Sequence, residues 1–112
     1  MSREQKSALE LSARRQEPFA VSAITLLEIA LFGGTGSGLG SKADRILTNL
    51  EAAPEFFILP LTFHIVAEIA SLGPSLRDPA DRTIVATARV HRLRLLTSDQ
   101  RIIDSKLVQT IE

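Results

Sequence analysis

The stretch Asp78-Pro79-Ala80-Asp81-Arg82-Thr83-Ile84-Val85-Ala86-Thr87-Ala88, with Leu93-Arg94-Leu95-Leu96 and Thr97-Ser98-Asp99 after it, sets the frame of this 112-residue chain. Asp78 offers a capping oxygen, and Pro79 stands at the first helical position, where its missing N–H costs nothing. A helix is predicted from there to about His91. Residues 93–96 read as a strand, residues 99–104 as a short helix and residues 108–111 as a closing strand. The same alternation runs back toward the N-terminus. Thr62 caps a helix carrying Ile65, Val66, Ile69 and Ala70, which stops near Gly73-Pro74. Phe56-Phe57-Ile58-Leu59, between Pro54 and Pro60, is a continuous apolar run of the kind found in buried strands. Ser41 to Asp44 has capping-box spacing, ahead of the helical stripe Ala43, Ile46, Leu47 and Leu50. Thr25 and Glu28 show the same spacing at the head of a helix to Phe32, and residues 19–21 precede it as a short strand. Ser2 and Gln5 open a first helix over residues 4–16, ended by Pro18 and thin in apolar residues. Strands separated by helices imply an α/β fold with a parallel sheet covered on both faces.

The chain is 45% hydrophobic, with 13 Lys+Arg balancing 13 Asp+Glu, as suits one globular domain over residues 1–112. Cysteine is absent, which excludes disulfides, thiolate metal sites and cysteine nucleophiles. Glu28 interrupts the longest apolar run, well short of the roughly 18 residues of a membrane span. The polar start Met1-Ser2-Arg3-Glu4-Gln5 does not resemble a secretory leader, so a cytoplasmic location is expected. Zero net charge excludes a global electrostatic grip on nucleic acid but leaves room for a local one. From Arg77 to Lys106 there are seven basic residues against four acids, compatible with a polyanion or with a solvated helix face.

Several constellations can be set aside. Five of the six glycines fall between Gly33 and Gly40. No register there supplies G-x-x-x-x-G-K-[ST] or G-x-G-x-x-G, so the segment reads as a mobile surface loop between helices. His64 and His91 have no companion at metal-ligand spacing, and no G-x-S-x-G elbow points to a hydrolase triad. A receiver-type phosphorylation domain would need a Lys beyond a later strand, and Lys106 instead follows a short helix. The acids say more. Glu28 and Asp99 both follow strands, and loops leaving the carboxyl ends of parallel strands face one crevice. Each acid also has a plain structural reading: Glu28 closes a box with Thr25, Asp81 follows the Asp78 cap, and Asp99 starts a helix. If Glu28, Asp81 and Asp99 converge, each charged pair repels by roughly 3 kcal/mol at about 5 Å and an effective dielectric near 20. Protonation or a hard cation such as Mg²⁺ or Mn²⁺ relieves that repulsion.

Three segments carry a resemblance: Val21-Ser22-Ala23-Ile24-Thr25-Leu26-Leu27-Glu28-Ile29-Ala30, the DPxDRxIxAxA-like run Asp78 to Ala88, and Leu95-Leu96-Thr97-Ser98-Asp99. Their order and spacing resemble the PIN-domain ribonucleases, and among them the VapC-type toxins of bacterial toxin–antitoxin pairs. The resemblance implies a three-layer sandwich with a mostly parallel central sheet. It implies a metal-dependent endoribonuclease that hydrolyses RNA, resides in the cytoplasm, forms a homodimer and is neutralised by a small cognate antitoxin. It implies Mg²⁺ or Mn²⁺ held by Glu28, Asp81 and Asp99, with Asp78, Thr97, Ser98 and Arg82 in support, Arg82 orienting or pairing with carboxylates. The family also opens with an apolar strand ending in Asp, in the middle of the sheet. The segment Met1-Ser2-Arg3-Glu4 does not match it. The first strand and its Asp are therefore expected to be missing, with roughly 15–25 further residues upstream, and residues 19–21 and 93–96 are expected to border the vacant position. The competing expectation is a non-catalytic remnant that binds antitoxin or RNA without cutting.

Overall fold

Ser2 and Gln5 close the reciprocal cap that their spacing predicts: the Gln5 N–H donates to Ser2 Oγ at 3.0 Å and the Ser2 N–H to Gln5 Oε1 at 3.1 Å. They open α1 (Arg3–Arg14) in a computed structural model that describes residues 2–14, 19–33, 39–53 and 56–111. Then follow β1 (Phe19–Ser22), α2 (Ala23–Gly33), α3 (Leu39–Ala52), β2 (Phe56–Leu59), α4 (Phe63–Ser71), α5 (Pro79–Val90), β3 (Leu95–Leu96), α6 (Gln100–Ser105) and β4 (Thr110–Ile111). Every expected element is present. The glycine-rich stretch lies largely outside the described residues, since α2 runs to Gly33 and α3 begins at Leu39.

Two of the expected caps are displaced. Helix α2 begins directly after β1, because Ser22 Oγ accepts from the Ile24 N–H at 3.3 Å. Thr25 is therefore already inside the helix, and the Thr25–Glu28 box does not form. Helix α3 likewise starts ahead of Ser41, so residues 41–44 lie within it rather than at its cap. The caps at Thr62 and Asp78 are where they were expected: Thr62 Oγ1 accepts from the Ile65 N–H at 3.3 Å, and Asp78 Oδ1 from the Asp81 N–H at 2.9 Å.

Among the described residues all strand pairing is parallel, as expected where strands alternate with helices. β1 pairs with β2 over four residues, Phe19 opposite Phe56 to Ser22 opposite Leu59. β3 pairs with β4, Leu95 opposite Thr110 and Leu96 opposite Ile111. The expected single ladder is divided, because these two pairs share no hydrogen bonds among the described residues. The last two strands are also shorter than the apolar runs that suggest them. β2 is not a fully buried strand either. Phe57 is 58% exposed while Leu59, two positions on and on the same face of the strand, is buried, so that face is covered only at the C-terminal end of β2.

The core lies between α4, α5, α6 and the β3–β4 pair. Ile65, Leu72, Leu76, Val85, Ala86 and Ile102 form one buried cluster, with Ile69, Leu95, Leu107 and Val108 packed against it. Helix α5 crosses this core with four consecutive buried residues, Val85 to Ala88. The chain leaves α4 through Gly73, whose φ of +77° is a left-handed conformation that glycine adopts without strain. Beyond the ends of α5 and α6 the same conformation falls to Arg92 (φ 56°) and Lys106 (φ 55°), the only non-glycine residues at positive φ among those described. A side chain there costs roughly 1–2 kcal/mol. A cation near a helix C-terminus recovers only about 0.3–1 kcal/mol.

Candidate active site

Two short pieces of chain place the acids. The first is the N-terminal turn of α5, where the cap by Asp78 brings Asp81 onto the first turn facing the β3–α6 connection. The second is that connection itself: Thr97 Oγ1 accepts from the Asp99 N–H at 3.0 Å, and Asp99 Oδ1 caps α6 by accepting from the Arg101 N–H at 2.9 Å. Gln5 fastens this turn from the far end of the chain. Only 3% exposed, it donates through Nε2 to Ser98 Oγ at 3.3 Å and to the Ile111 carbonyl at 3.1 Å. Thr97 and Ser98 thus both act on the placement of Asp99.

Arg101 joins the two acids. Its guanidinium reaches Asp99 with Nη2 at 3.1 Å from Oδ2 and Nε at 3.3 Å from Oδ1. The same Nη2 lies 3.7 Å from Asp81 Oδ2, an ion pair but too long for a hydrogen bond. Asp81 Oδ2 is consequently buried with no hydrogen-bond partner. Such an oxygen carries its desolvation unrelieved. Burial, then the negative charges of Asp78 and Asp99, push the Asp81 carboxyl above the ordinary carboxylate range, and Arg101 offsets this only in part. Asp99 moves the other way, held below that range by the side-chain and backbone hydrogen bonds from Arg101.

Two of the expected residues, Glu28 and Arg82, do not join this pair. Glu28 lies on the second turn of α2, not at its start, and among the described residues no three acids or histidines are grouped closely enough to hold a metal. Among the described residues Arg82 pairs with no carboxylate. Its guanidinium instead donates to three backbone carbonyls, those of Ile69 at 2.7 Å, Gly73 at 2.6 Å and Leu76 at 2.5 Å. Those carbonyls belong to the end of α4 and the turn after it, so Arg82 holds the segment from which α5 departs. Arg101, absent from the sequence-based set, is the group that touches both acids. Its proximity to Asp99, two residues away at a helix start, is the one local signal that could have found it.

A pH-dependent result follows from Asp81. Its carboxyl has a higher affinity for the proton in the folded than in the unfolded chain, so the folded state is penalised wherever the group must ionise. Asp81→Asn removes that penalty. In EDTA the variant should melt above the parent at pH 7, and the difference should shrink as pH falls through the folded-state value and vanish below the unfolded one. Thermal unfolding at pH 7 and pH 3.5 measures it, and a variant that melts lower at pH 7 contradicts the charge balance described here.

The order of these elements and the acids they carry can be compared with known proteins. A model of the PIN domain family matches residues 2–106. The chain belongs to that family. No curated protein and no solved structure matches it significantly. PIN domains are nucleases that generally depend on divalent metal, and the residues of this PIN domain fit such an ion. An orphaned buried carboxylate oxygen at Asp81, with the carboxylate of Asp99 beside it, is a hard oxygen donor set. Mg²⁺ is commonly bound through one or two carboxylates with water completing its shell. No helix of this PIN domain is long and apolar enough, among the described residues, to cross a membrane.

Proposed function

We propose that this PIN domain is a metal-dependent endoribonuclease of the toxin type, which hydrolyses phosphodiester bonds in RNA and is neutralised by a small cognate antitoxin. In this reading residues 1–112 make one catalytic domain that works in the cytoplasm as a homodimer. The observation that carries it is the buried Oδ2 of Asp81, which accepts no hydrogen bond, next to Asp99. Asp81 and Asp99 are the residues that hold Mg²⁺ or Mn²⁺, with Glu28 as a third acid contributed from α2. Asp78 fixes the turn that bears Asp81, and Thr97 and Ser98 fix the turn that bears Asp99. When bound, such an ion activates a water and stabilises the leaving oxygen of the phosphodiester. Arg101 competes with the ion for the same oxygens, because any cation there relieves the same repulsion.

The second reading, a remnant that binds antitoxin or RNA without cleaving, is favoured by one observation: no three acids are grouped among the described residues. Cleavage separates the two. The chain in Mn²⁺ should cut a labelled single-stranded RNA, EDTA should stop it, and Asp81→Asn or Asp99→Asn should each slow it by about 10²–10³, the scale for removing one preorganised electrostatic group. Cleavage that survives EDTA or both substitutions defeats the proposal. A folded parent chain that binds RNA without cutting it establishes the remnant.

A further inference from the structure

We infer that the cleft between the α5–β3 turn and the α6–β4 loop is a contact surface for the phosphate backbone of single-stranded RNA. This site is separate from the acids and rests on the ribonuclease reading for the identity of its occupant. Two open depressions adjoin there, of about 730 Å³ and about 290 Å³, and share Arg94, Leu107, Val108 and Gln109. Lys106 lines the larger, and Arg89 and Arg92 line the smaller. Among the described residues, four cations thus line the two depressions and no carboxylate does.

Arg89 is neutralised by Glu68 at 3.1 Å. The side chains of Arg92, Arg94 and Lys106 make no hydrogen bond or ion pair among the described residues. Three cations around one cleft, from both of its sides and without a counter-charge among the described residues, repel one another, and a phosphate chain is the ligand that relieves all three together. The backbone adds an independent observation. Among the described residues, Arg92 and Lys106 are the two that carry a side chain at left-handed φ, at helix ends where glycine is the easier choice. As noted above, the attraction of a cation to a helix terminus is smaller than the strain, so end-capping does not account for a long cation at both places.

The cleft holds no aromatic side chain on which a base could stack, so the contact is with phosphates and carries little sequence information. Asp81 and Arg92 stand at opposite ends of α5, 11 positions apart, or roughly 16 Å along the axis. An RNA strand cut at the acids would therefore meet the cleft several nucleotides away from the scissile bond.

The test uses the full chain in EDTA, so that binding is read without cleavage. The probe is a fluorescein-labelled 20-nucleotide oligouridylate, followed by fluorescence anisotropy at several salt concentrations. The triple variant Arg92→Gly/Arg94→Gln/Lys106→Gly should bind at least tenfold more weakly at low salt. Its slope of log K against log salt should fall by about 2, since each neutralised phosphate of a single strand contributes about 0.7. The two glycine substitutions should also raise the melting temperature, because they relieve the left-handed side chains, so weaker binding cannot be ascribed to unfolding. Unchanged affinity and slope in the folded variant overturn the inference. So does a parent chain that ignores the RNA but binds polyglutamate, which would mark the cleft as a site for an acidic protein segment. If the parent binds RNA through these cations yet never cleaves it, the cleft stands and the nuclease reading falls.

Discussion

Arg82→Ala is expected to destabilise the domain by about 2–4 kcal/mol, the largest effect of any substitution of a charged residue in it. The guanidinium donates to the carbonyls of Ile69, Gly73 and Leu76 at once. A hydrogen bond involving a charged group contributes about 1.5–3 kcal/mol. Three would exceed the range given, but Gly73 is exposed, and its carbonyl finds water once the arginine is gone. Lysine is a poor replacement. Its ammonium is a single point of donation, whereas the planar fork of arginine spans carbonyls on both sides of a turn. Arg82→Lys should therefore recover less than half of the loss. Against a total stability of about 5–15 kcal/mol, the alanine variant sits close to the edge of folding at 37 °C. Urea unfolding measures both variants. A loss below about 1 kcal/mol for the alanine variant would mean that the turn after α4 holds its shape without the clamp.

Ile65→Ala is expected to cost about 2–5 kcal/mol and to compete with Arg82→Ala for the largest loss. Ile65 is fully buried, on the face of α4 that meets α5, among Leu72, Leu76, Val85, Ala86 and Ile102. Truncation removes its transfer free energy and leaves a space that the flanking helices cannot close without moving. Ile65→Val removes one methylene and should cost only about 0.5–1.5 kcal/mol. The two losses should rank in that order in denaturant titration with an unchanged slope. A valine variant as unstable as the alanine one would point to altered shape, not lost volume, as the cause.

The elements were legible because their signals are local. Capping at Thr62 and Asp78, a proline at the first helical turn and short apolar runs each act within four residues; the caps and the proline appear where they were read, and the apolar runs mark strands of which the last two are shorter. Thr25 misled for the same reason: its spacing to Glu28 is right, but Ser22, three residues earlier, ends the strand and supplies the capping oxygen first. What local reading could not reach is partnership across distance. Nothing in Phe56-Phe57-Ile58-Leu59 states that β2 pairs with β1 while β3 and β4 pair elsewhere. The resemblance implied that Arg82 orients or pairs with carboxylates, yet its acceptors are backbone carbonyls 6, 9 and 13 residues upstream. In the site, Asp81 and Asp99 were both singled out, whereas the residue that joins them was not. Arg101 reveals its link to Asp99 by proximity, but its link to Asp81 spans 20 positions and exists only in the folded chain.

The buried side chain of Gln5 also sets an order of events. Its two donated hydrogen bonds join positions 93 and 106 residues apart, nearly the two ends of the chain. Contacts of such long range are formed after local ones, because the entropy of closing the loop must be met before they give anything back. Helices α4 and α5 with their shared core can assemble from neighbouring sequence, but both of the Gln5 bonds are made only after residue 111 is in place. Synthesis proceeds at about 5–20 residues per second. A growing chain that already contains both Asp81 and Asp99 thus still lacks Ile111, whose carbonyl takes the second of the two hydrogen bonds by which Gln5 fastens the turn of the second acid.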